Sequence, residues 1–165
     1  MRETDFERLY TEHAQGLFAF LTYRTGDRAL AEDLVAETFE AAFKAHRGFD
    51  RRRASERTWL YTIALNRLRD HVRRRGAEQR ALERVAAEPA PAADDPGHRL
   101  EDQDRLARAL ATLSDEERES IALRFGGELT LKEIAAALGE KMTTVEGRVY
   151  RALRKLRAEL DEDTA

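Results

Sequence analysis

Apolar side chains recur every three to four residues along three stretches in the first half of the chain, which is the spacing of one face of an α-helix. Thr4 with Glu7, Asp27, and Ser55 precede these stretches and are residue types that cap helix N-termini. The three apolar stripes are Phe6, Leu9, Tyr10, His13, Leu17, Phe20 and Leu21; Leu30, Leu34, Val35, Thr38, Phe39, Ala42 and Phe43; and Trp59, Leu60, Ile63, Ala64, Leu68 and Val72. The pattern predicts an N-terminal bundle of three to four helices.

The second half carries three further capping-box spacings, in which Ser or Thr is followed three residues later by Glu: Ser114 with Glu117, Thr130 with Glu133, and Thr143 with Glu146. A short apolar run over 131–138, a glycine at 139 and a longer amphipathic run predict a helix-turn-helix. The expected apolar face of its last helix is Val145, Val149, Ala152, Leu153, Leu156 and Leu160. The expected outward face is Thr144, Gly147, Arg148, Arg151, Arg154 and Lys155.

Between the two halves, the segment AAEPAPAADDPGH holds all three prolines of the chain and shows no helical periodicity. We therefore expect an all-α protein of two small helical domains, residues 1–78 and 101–162. A linker that contains Pro and Asp joins them over residues 79–100. Because that composition opposes packing, we expect the two domains to sit independently of each other.

Composition narrows the function classes. The 165 residues include no cysteine, which excludes disulfides, thiolate zinc sites and thiol catalysis. No stretch approaches the roughly 18 apolar residues of a membrane span, and the N-terminus lacks the apolar run of a secretory signal. We expect a cytoplasmic protein with no membrane contact of its own.

The net charge of −3 hides two basic segments. Residues 44–75 carry eleven basic against three acidic side chains, and residues 146–157 carry five against one. Such clustering is typical of proteins in which selected faces meet a polyanion such as DNA or RNA.

Aromatic side chains interleave with arginines in the first basic segment, a combination that suits single strands as well as duplexes. Arginines would follow the phosphate backbone, and aromatic or apolar pockets would accept unstacked bases. Asn66 and Asp70 could read base edges from the predicted third helix. Two alternatives stay open, because Trp59 has the spacing of a core residue and Asp70 that of a partner for Arg67 or Arg74.

The basic face of the last helix favours DNA binding over a structural helical hairpin. Arg148 and Arg151, one turn apart, could reach guanine edges or phosphates in a major groove, and the alternative is a solvated face. Glu146 has two interpretations: it is a capping-box partner of Thr143, or a carboxylate near the groove that accepts a hydrogen bond from cytosine N4.

The predicted second helix presents an acidic face, in which we expect Leu34 and Phe39 to lie outward beside the carboxylates of Glu32, Asp33, Glu37 and Glu40. This mixture predicts a protein-docking site.

A carboxylate metal site is the enzymatic alternative, but no Glu-x-x-His pair occurs and the four histidines are scattered. Gly126-Gly127 is an isolated pair rather than a phosphate loop. We expect no catalytic constellation, no metal and no cofactor.

Two sets of motifs, one in each half, occur in the order and spacing of a known family. The first set is residues 31–39 (AEDLVAETF), Phe49-Asp50, residues 58–64 (TWLYTIA), Asn66, Asp70 and residues 73–75. The second set is Leu113, residues 116–118, Leu123-Arg124, residues 133–135, Leu138-Gly139, Thr144-Val145, Arg148 and Arg151. They resemble the second and fourth regions of bacterial extracytoplasmic-function (ECF) sigma factors, of the sigma-70 superfamily.

The resemblance implies a transcription initiation factor that binds core RNA polymerase, at the β′ clamp and the β flap, and directs it to promoters. The implied polymerase contacts are Asp33, Leu34, Glu37, Thr38 and Phe39. The implied contacts to the minus-ten element, as duplex and as melted non-template strand, are Phe49, Arg51, Arg52, Arg57, Trp59, Asn66, Arg67, Asp70, Arg73 and Arg74. The implied contacts to the minus-thirty-five element are Thr143, Thr144, Glu146, Arg148, Arg151 and Lys155. An anti-sigma protein is a further implied partner.

The chain departs from the family pattern on the recognition helix, with Glu146-Gly147 in place of the usual Lys-Ser and Leu153 in place of an Arg. Both departures reduce the positive charge of that helix.

The alternative function is a helix-turn-helix regulator with an N-terminal sensing or interaction domain, and a helical carboxylate metalloprotein is the third possibility. The acidic docking helix and the arginine-aromatic segment favour the initiation factor.

Overall fold

The structure is a computed structural model and describes residues 2–82 and 100–162. The first half comprises α1 (Glu3–Thr25), α2 (Arg28–Ala45), a short 3-10 turn (His46–Gly48) and α3 (Glu56–Leu82). The second half comprises α4 (Leu100–Ala111), α5 (Asp115–Ile121), a π-helical turn (Ala122–Gly126, the π-turn), α6 (Leu131–Leu138) and α7 (Met142–Glu162). These two ranges contain no strand, and the predicted all-α class is confirmed. In the same ranges, none of the helices is at once long and apolar enough to span a bilayer.

Side-chain caps set several helix starts as the sequence predicts. The Asp27 carboxylate accepts a hydrogen bond from the Leu30 N–H at 3.1 Å, and the Ser55 hydroxyl accepts one from the Thr58 N–H at 3.1 Å. Thr130 and Glu133 form a complete capping box. Each bond satisfies a backbone donor that the first helical turn leaves unpaired.

Two predicted starts are wrong. Thr4 lies inside α1, where the Asp5 carboxylate instead accepts from the Arg2 N–H at 3.1 Å. Thr143 lies inside α7, which begins one residue earlier at Met142. A residue inside the helix has helical backbone angles and does not occupy the cap position, so the capping-box interpretation of Glu146 is removed.

The first three helices enclose a core that includes Leu9, Phe20, Leu34, Phe39 and Leu60. The predicted apolar stripes are too wide, because Tyr10, Phe43 and Val72 are each more than half exposed. The Phe43 ring still contacts the Phe6 ring of α1 edge-on, with centroids 5.3 Å apart.

The helix-turn-helix consists of α6 and α7, which pack on each other and contribute Ile134, Ala135, Val145 and Val149 to the buried core. Gly139 ends α6 with a φ of 68°, a left-handed conformation that glycine adopts without steric cost. Leu153, predicted to face inward, is 41% exposed, since the buried face of α7 runs through Ala152 instead.

The two halves pack against each other, and the prediction that they sit independently is wrong. Helix α1 packs on the π-turn and α3 packs on α6, so that one continuous apolar core spans both halves. Helix α3 continues through Leu82, which makes residues 79–82 of the predicted linker helical. The prolines Pro89, Pro91 and Pro96 lie outside the described residues.

Candidate nucleic-acid interface

The loop between α2 and α3 is anchored by an aromatic stack. Phe49 lies on Trp59 with ring centroids 4.6 Å apart and an interplanar angle of 29°. Both side chains are half-buried, and Trp59 also packs against the core. The stack therefore holds the arginine-rich loop, residues 50–54, against the start of α3.

Exposed polar side chains continue along α3 from this stack. Asn66, Arg73 and Arg74 are exposed, and Arg67 is half-buried. Asp70 pairs with Arg73 rather than with Arg67 or Arg74. The face accordingly combines an amide, arginines and one carboxylate next to an aromatic stack, which are the groups that bind an unpaired strand.

The loop arginines differ in their surroundings. Arg51 donates to Glu56 at 2.9 Å, and Arg8 of α1 donates to the same carboxylate at 3.0 and 3.1 Å. Arg52 is exposed, and its backbone N–H donates to the Asp50 carboxylate at 2.9 Å. The Asp50 carboxylate therefore holds the loop backbone, and the loop presents its arginine side chains from that backbone.

Arg57 does not belong to this exposed surface. Its Nη2 donates to the carbonyl oxygen of Gly127 in the other half of the chain at 2.5 Å, and its Nε lies 3.7 Å from the Glu133 carboxylate. The implied minus-ten role of Arg57 is therefore not available in this conformation.

The exposed start of α7 presents Thr143, Thr144, Glu146 and Arg151 to solvent. Lys155, one turn after Arg151, donates to Glu117 of α5 at 2.7 Å, and this bond holds the pKa of that carboxyl below its usual value. The surface is thus less basic than its sequence indicates, since one lysine is already paired.

Arg148 is wrongly predicted to face outward. Its side chain is only 11% exposed and donates to both carboxylate oxygens of Glu140, at 3.2 and 2.6 Å. A third bond reaches the Ser120 hydroxyl at 3.4 Å, and the Glu140 carboxylate raises the pKa of the guanidinium. Arg148 ties α7 to α5 and to the turn that follows α6.

The acidic face of α2 consists of carboxylates without the predicted apolar members. Leu34, Thr38 and Phe39 are buried, and the Thr38 hydroxyl donates to the Leu34 carbonyl at 2.7 Å. They fall on the inward stripe of α2 and leave Asp33 and Glu37 exposed on the opposite side.

The apolar component comes instead from α1, which sequence reasoning missed. Tyr10 is 52% exposed and lines a groove of about 380 Å³ together with Phe18, Glu32, Val35 and Ala36. The sequence assigns Tyr10 to the apolar face of α1, and it lies at the edge of that face. The packing of α1 on α2 brings this ring into the same groove as the Glu32 carboxylate.

A second cluster is not visible in the sequence, because Glu56 lies far along the chain from Glu12 and His13. Ligand atoms of Glu12, His13 and Glu56 lie within 4.8 Å of one another, and burial lowers the pKa of His13. The arginines at positions 8 and 51 already compensate the Glu56 carboxylate. This chemistry favours an ion-pair network that joins α1 to α3 over a metal site.

Comparisons with known proteins match both halves. Residues 9–78 match the family model for sigma-70 region 2, and residues 109–158 match that for sigma-70 region 4. The ECF RNA polymerase sigma factor SigL of Mycobacterium tuberculosis is 34% identical over 157 residues, which cover 93% of this chain and 88% of SigL. BldN of Streptomyces coelicolor, another ECF sigma factor, is 30% identical over 163 residues, which cover 96% of this chain and 61% of BldN.

A solved structure is similar over nearly the whole chain. The sigma factor RpoE of Bartonella quintana, in complex with the anti-sigma factor NepR, matches with a TM-score of 0.77 and 29% sequence identity. The match covers 96% of this chain and 98% of that chain, and therefore includes both halves.

Proposed function

The chain belongs to the ECF sigma factors of the sigma-70 family, and from this membership we propose how its surfaces act in transcription initiation. It is a transcription initiation factor that directs RNA polymerase to promoters. The observation that carries this conclusion is the presence of both family regions, in order, in one chain that is similar to SigL over 93% of its length. Its relatives are sigma factors, which are not enzymes, and we propose that it catalyses no bond change itself.

Core polymerase docks on α2, at the exposed carboxylates of Asp33 and Glu37 and at the neighbouring Tyr10 groove. Mixed acidic and apolar exposure of this kind suits a basic partner helix. The buried residues Leu34, Thr38 and Phe39 act indirectly, by holding α2 in the orientation that exposes the carboxylates.

The minus-ten element binds the face formed by the Phe49–Trp59 stack, Asn66 and three arginines of α3, which are Arg67, Arg73 and Arg74. Arginines contact the backbone, while the amide and the aromatic edge receive bases of the melted strand. Asn66 is exposed and the adjacent Arg67 is half-buried, which supports this assignment.

The minus-thirty-five element binds the exposed N-terminal half of α7, at Thr143, Thr144, Glu146 and Arg151. Glu146 is exposed and has no capping role, and we propose that it accepts a hydrogen bond from a cytosine amino group. Arg148 and Lys155 contribute through the position of α7, because both pair with carboxylates of their own domain.

We also propose that the protein is cytoplasmic. Its two domains are residues 1–78 and 101–162, and residues 79–100 join them. Bartonella quintana RpoE is solved with the anti-sigma factor NepR, and we propose an anti-sigma protein as a partner of this chain as well.

Run-off transcription with purified core polymerase on a genomic promoter library tests the function and its specificity together. We expect transcripts only when the protein is added, from templates that share two short elements. Sequence-specific duplex binding with no transcript in any template would instead support a helix-turn-helix regulator.

A further inference from the structure

Gly147 lies in the interior of α7, where glycine is among the least favourable residues because its backbone loses the most conformational freedom on folding. Its backbone conformation does not require glycine. In the part of the chain that the structure describes, the glycines with positive φ are Gly26 and Gly139, and Gly147 has the ordinary backbone of a helix. The residue therefore weakens α7 without supplying a turn or a helix end.

Packing inside the molecule does not require this glycine either. A Cβ on Gly126 would lie 3.0 Å from the Phe20 Cα, so glycine is needed where the π-turn meets α1. Apart from its chain neighbours and the helix backbone, a Cβ on Gly147 would meet one described atom within 4 Å, the Nη1 of Arg151 at 3.2 Å. That atom ends an exposed, flexible side chain, which can turn away at little cost. The space beside Gly147 thus opens to the outside of the molecule.

The glycine forms a notch in an exposed face of α7. Thr143 lies one turn before it, and Tyr150 and Arg151 lie one turn after it, so the three side chains surround position 147 on one face. All three are exposed. Tyr150 is 64% exposed, the largest fraction for any bulky apolar or aromatic side chain in the described residues. An aromatic ring that the fold leaves in solvent beside a notch is available to a ligand from outside the molecule.

We propose that this notch, formed by Gly147 between Thr143 and Tyr150, receives the 5-methyl group of one thymine in the minus-thirty-five element and so determines specificity at that base pair. The inference rests on the proposed function, which places the exposed face of α7 on this element. The thymine methyl group is apolar, lies on the major-groove edge, and is read by apolar contact. Gly147 lets the helix backbone approach the methyl group, and the Tyr150 ring supplies an apolar wall.

Arg151 occupies two positions in this proposal. In the free protein its guanidinium lies over the notch, beside Gly147. In the promoter complex it turns outward to a phosphate, the group that most protein side chains contact on DNA. A side chain at position 147 would fill the space that the methyl group needs, whether or not Arg151 moves. The glycine thus weakens α7 and makes room for one base.

Replacement of thymine by deoxyuracil removes the methyl group and leaves the hydrogen bonds of the base pair in place. In a strongly transcribed promoter from the run-off library, each thymine of the minus-thirty-five element, on either strand, is replaced in turn. Run-off transcription then gives the concentration of holoenzyme, the protein bound to core polymerase, at half-maximal transcript. Loss of one buried methyl contact weakens binding roughly fourfold. We expect one thymine at which uracil raises this concentration about fourfold.

Gly147→Ala fills the notch with one methyl group. We expect thymine and uracil to be equivalent at that position for this variant, while its melting temperature rises by about 1–4 °C because alanine favours the helix. Tyr150→Ala removes the apolar wall and should also lose the discrimination, with little change in melting temperature because the ring is exposed.

Gly76→Ala is the matched control. Gly76 also lies inside a helix, and the Arg80 side chain, four residues later, is 3.8 Å from a new Cβ. This variant should gain similar thermal stability and keep the fourfold effect of uracil.

A uracil effect that persists in Gly147→Ala would overturn the notch, and so would equal use of thymine and uracil at every position by the unmodified protein. Loss of the effect in Gly76→Ala as well would also overturn it, because the loss would then follow from helix stability. In each of these cases transcripts are made and the proposed function stands. Absence of transcript from every template would overturn the proposed function together with the notch.

Discussion

Arg148 and Arg151 lie one turn apart on α7 and have opposite surroundings. Arg148 is enclosed by Glu140 and Ser120, whereas Arg151 is exposed on the same helix. A guanidinium that forms three hydrogen bonds inside its domain stabilises the fold, and one in solvent remains available to DNA phosphates or bases.

Alanine substitutions separate the two roles. Arg148→Ala leaves the half-buried Glu140 carboxylate without its partner, so we expect the free energy of unfolding to fall by about 1–3 kcal/mol. Arg151→Ala should change it by less than about 0.5 kcal/mol but weaken binding to a minus-thirty-five duplex and reduce the salt slope by about 1. Urea denaturation and duplex titrations over a range of salt measure both effects. Equal stability of the two variants would contradict the structural role of Arg148.

The sequence misplaces residues at the boundary between the two faces of a helix. Arg148 adjoins buried Val149, and Leu153 adjoins buried Ala152, so a shift of one position reverses the prediction for each. The pattern of charge and hydropathy predicts which helix is amphipathic. It does not predict that Glu140, in the turn before α7, folds back to cover Arg148.

Helix α2 has two functions on two faces: a buried stripe that builds the core, and exposed carboxylates proposed to dock polymerase. Because the faces are separate, the charge of one can be reversed without disturbing the packing of the other. The helix therefore permits a docking test that leaves the fold intact.

Asp33→Lys combined with Glu37→Lys should abolish co-purification with core polymerase, because the partner surface would now face like charge. Thermal unfolding should change little, since both side chains are exposed. The control carries the same charge change at Glu159 and Asp161, in the last turns of α7, and should still co-purify. Retained binding by the α2 variant would remove the docking assignment, and a loss of folding would show that these carboxylates are structural.

Helix α3 allows duplex binding and strand opening to be distinguished. Alanine at Asn66 or Arg67 should impair promoter opening more than duplex binding, because these residues are proposed to hold the unpaired strand. Permanganate reactivity of thymines in the minus-ten element measures opening, and a gel-shift titration on the same promoter measures binding. Arg80→Ala, farther along α3, is the matched control and should open the promoter normally. Reactivity that is unchanged in both site variants would refute the strand-capture role.

Most helices could be predicted because each has a local signal, either a cap or a repeat of 3.6 residues. The π-turn had none, since a single wide turn leaves the surrounding apolar pattern nearly unchanged. Its only trace in the sequence is the glycine pair, and composition alone cannot say which surface a glycine approaches.

The largest error of the sequence interpretation concerns the whole molecule. The proline-containing segment correctly suggests two helical domains but says nothing about whether their surfaces fit. The decisive contacts join residues far apart in the chain, as when Arg57 and Tyr61 meet Gly127. No periodicity reports such a contact, because each side is an ordinary part of its own helix or turn.

One core that spans both halves predicts cooperative unfolding of the whole chain. Buried side chains of α1 and α3 pack with those of the π-turn and α6, so separation of the halves exposes apolar surface on both.

In scanning calorimetry we expect one transition, with the calorimetric enthalpy equal to the van't Hoff enthalpy, for the unmodified protein and for Gly76→Val. Gly126→Val should uncouple the halves and give two transitions, or one broad transition whose calorimetric enthalpy exceeds the van't Hoff value. For domains of this size, a coupling of 1 kcal/mol moves a midpoint by about 4–8 °C, which such scans resolve. Two separate transitions in the unmodified protein, at the same temperatures as in Gly126→Val, would show that the contact between the halves adds nothing to the stability of either.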